Sequence, residues 1–189
     1  MISTVAAEIP TAPDVARRLA DELERSAIPY AVGGAIAYGL HAPPRATNDV
    51  DLNVFVEPDD LDATFDALER GGATVDRQQA QQSALDRGDF IVRYRGMRVD
   101  VFVSSIPLSL AAAGRIQQGV LLGRPIAFLS AEDLVLFKLL FYRAKDINDI
   151  TRLVAFQGDA LDHGYVRRWL VDMVGEDDER MTTWDNIVG

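Results

Sequence analysis

The chain of 189 residues has no cysteine. It can form no disulfide frame and no thiolate metal site, and that composition fits a reducing cytoplasm, where the protein is expected to reside. No apolar run is long enough to span a bilayer, and no signal-peptide pattern precedes the first polar segment, so no membrane association is expected. Internal repeats and low-complexity tracts are also missing, which sets aside solenoids and linker-like chains. Histidine is scarce. His41 and His163 show no metal-ligand spacing and read as ordinary surface or loop residues. Basic charge is short too: 19 Lys and Arg stand against 29 Asp and Glu, for a net charge of −10. That balance argues against a general nucleic-acid binder.

What is present is ordinary globular material, 48% hydrophobic and 25% charged. The length fits one domain, or a core with a small appendage, and suffices to bury a hydrophobic core. Charge is unevenly spread. Residues 71–129 carry four acids (Asp76, Asp86, Asp89, Asp100) against seven arginines. This middle could meet a polyanion locally, or it could be a solvated hairpin. The tail Glu176-Asp177-Asp178-Glu179 is acidic again.

Met1 to about Pro10 reads as a loose start. Val15, Leu19 and Leu23 then mark a helix over Ala12–Ser26, with Pro13 in its first turn. Tyr30–Val32 is a short strand broken by Gly33-Gly34, and Ala35–Leu40 a short helix in which Gly39 allows close packing. Glu57-Pro58-Asp59-Asp60 reads as the opening of a helix carrying Leu61, Phe65 and Leu68 and ended by Gly71-Gly72. Residues 74–87 are polar and Gln-rich, a loop or an irregular strand. Asp89–Tyr94 and Met97–Val103 read as a hairpin across Arg95-Gly96. Pro107–Ala113 is a helical piece, and Gly119–Leu129 a second small hairpin. Helices follow from Ser130, over Asp146–Phe156, from near Asp162, and near Trp184. Trp169 has helical spacing with Leu170 and Met173 and reads as core. Residues 1–105 thus look α/β and residues 106–189 mainly helical.

Chemistry concentrates on Asp49–Val56. Read as a strand, it points Val50, Leu52, Val54 and Val56 into a core and Asp49, Asp51 and Asn53 the other way. Two carboxylates on one face repel unless a cation joins them, and hard oxygen donors suit Mg²⁺. The plain alternative is the solvated face of an edge strand. Two further features join this one. Val32-Gly33-Gly34-Ala35 is a strand, two glycines and a helix start, a place where backbone N–H groups favour phosphate. Asp100, in Arg98-Val99-Asp100-Val101, would supply a third carboxylate from another strand, or would be an exposed strand position.

Gly33-Gly34, then Arg45-x-Thr47-x-Asp49-x-Asp51-Leu52, then a later strand Asp, resembles the nucleotidyltransferase superfamily with the DNA polymerase β-like core. Farther on, Ser130-Ala131-Glu132-Asp133-Leu134, Lys138, Arg143-Ala144-Lys145-Asp146 and Asp149 resemble the AbiEii-type toxins of bacterial type IV toxin–antitoxin systems. The resemblance covers residues 33 to 149. It implies a mixed-sheet α/β core with flanking helices over residues 1–105, followed by a mainly helical region over 106–189. It implies that Gly33 and Gly34 cradle the triphosphate of an NTP and that Arg45 and Thr47 approach the carboxylate strand. It further implies that Asp49, Asp51 and Asp100 hold Mg²⁺, two ions in such sites, with Asp100 beside the attacking hydroxyl as shared ligand or base. Lys138 would reach the nucleotide phosphates, and Lys145, Asp146 and Asp149 match a Lys-Asp-x-x-Asp segment. Many members have Gly-Ser where this chain has Gly33-Gly34, so the phosphates must be met here by backbone N–H groups alone.

Residue by residue, plainer roles remain open. Lys138 lies in a nearly all-apolar helix and must snorkel or meet acids, for which a salt bridge to Asp146 would serve. Lys145 and Asp149, four apart, could pair on a helix surface. The function expected is transfer of a nucleoside monophosphate from an NTP to an acceptor: RNA such as tRNA, a protein, or a small molecule such as an aminoglycoside or lincosamide. An antitoxin is an expected partner if the chain is a toxin. The acidic balance suits a cationic aminoglycoside better than tRNA. The competing reading is a non-catalytic binding module that keeps the fold.

Overall fold

The computed structural model describes residues 9–189. The loose start therefore falls, up to Glu8, outside the described residues. Six strands form one mixed sheet: β1 (Tyr30–Val32), β2 (Asp49–Val54), β3 (Asp89–Tyr94), β4 (Met97–Phe102), β5 (Gln117–Leu121) and β6 (Arg124–Phe128). Their order is β3-β4-β2-β1-β6-β5. β1 runs antiparallel to β2, while β2–β4 and β1–β6 are parallel and the two hairpins close the edges. The sheet thus draws strands from both sides of residue 105, because Val32 of β1 pairs with Phe128 of β6.

Helix α1 (Ala12–Arg25) starts where expected, for a local reason. Thr11 and Asp14 form a capping box, with Thr11 N–H donating to Asp14 Oδ2 at 2.9 Å, which satisfies two otherwise orphan donors. Its stripe of Val15, Leu19 and Leu23 is buried. α1 packs with α3 (Asp62–Arg70) and against β1, β2 and β6. Val50, Leu52 and Val54 are fully buried, and alternation along β2 turns Asp49, Asp51 and Asn53 to the other face. Around that face stand α2 (Gly34–His41), α6 (Ala131–Phe141) and α7 (Ala144–Gln157), which contact one another. α5 (Pro107–Ala113), α8 (His163–Val174) and α9 (Glu179–Val188) complete the fold.

The structure corrects four expectations. Residues 77–87 form a helix, α4 (Arg77–Arg87), rather than a loop or irregular strand. Asp76 caps it by accepting from Gln79 N–H at 3.1 Å, and Gly88 ends it at φ 77°. Only Ala80 and Ala84 are buried along it, side chains too small to register as an apolar stripe. Secondly, α3 begins at Asp62, because Glu57–Asp60 form a turn closed by Asp60 N–H on Glu57 O at 3.1 Å. Thirdly, β2 ends at Val54, short of Val56. Fourthly, His41 is 5% exposed, and its Nε2 bonds the carbonyl of Leu129 at 2.8 Å, fastening α2 to the chain after β6. Asp76→Ala is expected to lower stability by about 1 kcal/mol, the usual effect of losing an N-cap, measured as a shift in the urea midpoint.

Candidate active site

The parallel pairing of β2 and β4 builds the site. It sets Asp49 opposite Arg98 and Asp51 opposite Asp100. These four positions therefore share one face of two adjacent strands. On the other side of β2, the end of β1 leads through Gly33 into α2, and Gly33 N–H donates to Asp51 O at 2.9 Å. Gly34 adopts φ 54°, and a Cβ there would lie 1.7 Å from Asp51 Oδ2. The Asp51 carboxylate thus sits against the first turn of α2 because residue 34 has no side chain.

A cavity of about 410 Å³ opens over this face. The structure brings Gly34, Arg45, Asp49, Asp51, Asp100, Lys138 and Lys145 together around it. The chain has only two lysines, and both are in this wall. Gly33 and Thr47 are not. Gly33 acts through its backbone, and the Thr47 hydroxyl donates to the Asp49 carboxylate. Asn53, Asp89, Phe102, Phe137, Phe141 and Arg143 also line the cavity. Of these, Asn53 is marked in the sequence by its place on the Asp49–Asp51 face, and Arg143 by the Arg143-Ala144-Lys145-Asp146 segment. Phe141 and Arg143 meet at a helix junction, where the Arg143 guanidinium lies 4.8 Å from the Phe141 ring centroid.

Lys138 is 6% exposed, and its Nζ donates to Asp149 Oδ2 at 2.8 Å, with Asp146 Oδ1 3.5 Å away. Asp149 also accepts from Arg45 Nε and Nη2, at 3.1 and 2.8 Å. Asp146 accepts from Arg143 Nε and Nη2, at 2.5 and 3.2 Å. The surface pair of Lys145 with Asp149 does not form, because Asp146 and Asp149 face inward with Ile150 and Leu153. Burial alone would raise both carboxyls. The hydrogen bond to Asp146 from Arg143, and those to Asp149 from Arg45 and Lys138, outweigh it and hold both below the ordinary range. Asp51 goes the other way. Burial, then the neighbouring charges of Asp49 and Asp100, push its carboxyl up to about 6.

Asp49, Asp51 and Asp100 are the residues here that could hold a divalent cation. The donors fit in kind, being hard oxygens, and in placement, being neighbours on two strands. The Asp51 carboxylate accepts no hydrogen bond among the described residues, which leaves its lone pairs free. The other two are engaged, Asp49 by Thr47 and Asp100 by Arg98. No three His, Cys, Asp or Glu side chains among the described residues are grouped so as to hold a metal.

No protein-family profile matches the chain, and no curated protein matches it. Solved structures do. The antibiotic-resistance factor ANT(2'')-Ia in solution superimposes with a TM-score of 0.60 at 16% identity, over 84% of this chain and 93% of that one. The fold is that of the nucleotidyltransferases. A crystal structure of ANT(2'')-Ia with adenylyl-2''-tobramycin gives a TM-score of 0.53 at 12% identity, covering 90% and 93% of the two chains. A nucleotidyltransferase of H. pylori, so assigned by its description, gives 0.50 at 12% identity, covering 94% and 93%. At these identities the likeness is one of nucleotidyltransferase architecture, and the mixed α/β sheet read from the sequence agrees with it. No helix among the described residues is long and apolar enough to cross a membrane.

Proposed function

We propose that the chain is a Mg²⁺-dependent nucleotidyltransferase that moves a nucleoside monophosphate from an NTP to an acceptor hydroxyl. The observation that carries this reading is the register: Asp51 lies opposite Asp100, with Asp49 on the same face and the Gly34 turn alongside. Asp49, Asp51 and Asp100 would hold the metal, which supplies charge neutralisation at the phosphoryl oxygens when bound. The Gly34 turn and the first N–H groups of α2 bind the phosphates. Lys145, exposed on the cavity wall, adds a positive charge to them. Asp100 accepts the proton of the acceptor hydroxyl at its carboxylate. That oxygen bonds to the α-phosphorus, the bond to the bridging oxygen breaks, and pyrophosphate leaves.

The Arg-bearing middle of the chain supports a small acceptor over RNA. Five of its seven arginines are bound to acids in the fold. Arg77 meets Asp66 and Glu69, Arg87 meets Asp89, Arg98 meets Asp100, Arg115 meets Glu132, and Arg124 meets Asp21. Arg93 and Arg95 have no acid partner among the described residues, and neither lines the cavity. Among the described residues this segment therefore offers a polyanion only Arg93 and Arg95 without acid partners, and a net charge of −10 favours a cationic acceptor such as an aminoglycoside. The toxin reading, with tRNA or protein as acceptor and an antitoxin as partner, rests on the resemblance of residues 130–149.

The test supplies purified protein with each labelled NTP and Mg²⁺, and offers bulk RNA, tRNA and a panel of aminoglycosides. Label is expected on an aminoglycoside. It is expected to disappear with EDTA and in Asp49→Ala and Asp51→Ala. Label on tRNA would move the reading to the toxin class. Transfer to no acceptor, with wild type and both variants binding Mg-NTP equally weakly, would refute the enzyme reading.

A further inference from the structure

The carboxylate face has a fourth member. Asp49, Asp51 and Asp100 occupy three corners of the rectangle set by the β2–β4 register, and Arg98 occupies the fourth. Its sides are about 4.8 Å across the strands and about 6.6 Å along them. Arg98 does not point away from its acidic neighbours. It bends along its own strand and forks Asp100, Nε to Oδ2 at 2.7 Å and Nη2 to Oδ1 at 2.5 Å. Both carboxylate oxygens are taken by this fork. The Asp100 side chain is 11% exposed, whereas that of Arg98 is 48% exposed and borders the cavity. The carboxylate end of the pair is therefore buried, and the guanidinium end is open to solvent and to the cavity.

We propose that Arg98 is a built-in counter-cation of the carboxylate site, a latch that holds Asp100 closed until a divalent ion displaces the guanidinium. The inference rests on the metal-dependent reading above. Without a cation, Asp51 and Asp100 would stand side by side in a half-buried site, and like charges there disfavour the fold. The guanidinium relieves this for Asp100 and leaves Asp51 as the first point of entry for the ion. Arginine suits the task because its planar fork covers both oxygens at once, which an ammonium does not. Loading then exchanges one cation for another, so the fork competes directly with metal affinity. Arg98 is a positioning residue on this account, acting through Asp100.

The test measures Mn²⁺ binding by loss of the free-ion EPR signal, without nucleotide and without turnover. It compares wild type with Arg98→Ala, Arg98→Lys and, as a charge control at the cavity rim, Arg143→Gln. Circular dichroism verifies that each variant is folded. Both Arg98 variants are expected to bind Mn²⁺ about tenfold tighter than wild type or better, since a charged two-point hydrogen bond no longer competes. Arg143→Gln is expected to stay within a few-fold of wild type. Tighter binding by Arg98→Ala alone, with Arg98→Lys like wild type, would show a charge effect without a latch and overturn the proposal. Equal or weaker binding by both would also overturn it, while leaving the metal-dependent reading intact. Absence of Mn²⁺ binding in every protein would instead remove the metal site itself, and the latch with it.

Discussion

Asp149→Ala is expected to cost about 3–5 kcal/mol of stability, the usual penalty for removing one partner of a buried ion pair. Lys138 and Asp149 are 6% and 4% exposed. Without Asp149 the Lys138 ammonium keeps only Asp146, at 3.5 Å. Arg45 loses both of its hydrogen bonds to the same carboxylate. Against a typical total of about 5–15 kcal/mol, such a loss leaves the protein marginal at 25 °C. Lys138→Met should be much milder. It keeps the volume, and each acid retains an arginine, Asp149 with Arg45 and Asp146 with Arg143. Urea unfolding followed by circular dichroism separates the two variants. If Asp149→Ala unfolds within 1 kcal/mol of wild type, the network is not structural. Low nucleotidyl transfer by a well-folded Lys138→Met would then show that the ammonium also serves the nucleotide.

The same network sets an acid limit. Asp146 and Asp149 are held below their ordinary range in the fold. A depressed folded-state value contributes stability above the unfolded value, about 3.9, and the contribution is lost as pH falls through the folded one. These two groups therefore add no pH dependence between neutrality and about pH 5 and a steep loss below about pH 4. Asp149→Asn should flatten that acid limb while lowering stability at pH 7.

How much of this could be read from the sequence depends on side-chain size and on charge. The carboxylate strand was readable because Val50, Leu52 and Val54 alternate with Asp49, Asp51 and Asn53, and the structure buries one set and opens the other to the cavity. α4 was not, since its buried face consists of Ala80 and Ala84. α7 misled in a different way. Its inward stripe is Asp146, Asp149, Ile150 and Leu153, a regular helical spacing whose first two members are acids, so a helix-surface pairing stands beside a site role for them in the sequence. Only the third dimension supplies Lys138, Arg45 and Arg143, the cations that make their burial tolerable. Arg98 reads from the sequence only as one of seven arginines in an Arg-bearing middle, two residues before Asp100. The parallel register of β2 and β4, which no local pattern encodes, places Arg98 among the acids, while Arg93, its partner across β3–β4, lies on the side of β4 away from β2.

Gly34→Ala is expected to abolish nucleotidyl transfer as completely as Asp51→Ala, in a protein that still folds. Two effects add at this position. The backbone is left-handed, φ 54°, which costs an L-residue about 1–2 kcal/mol. The new methyl also falls 1.7 Å from Asp51 Oδ2 and 2.4 Å from its Cγ, so the carboxylate must leave its place against α2. A displacement of about 1 Å in a reacting group is enough to cost on the order of 100-fold in rate, and the clash here is larger. Gly96→Ala provides the control. Residue 96 is also left-handed, φ 88°, but nothing lies within 4 Å of its would-be Cβ. It should lose similar stability and keep its transfer activity. Thermal melts and label transfer on the two variants separate backbone strain from loss of the site. If Gly34→Ala transfers label within a few-fold of Gly96→Ala, the seating of Asp51 against α2 is not what the chemistry needs. If only Gly34→Ala is inactive, the missing side chain at residue 34 is what lets a strand carboxylate and a phosphate-binding turn share one space.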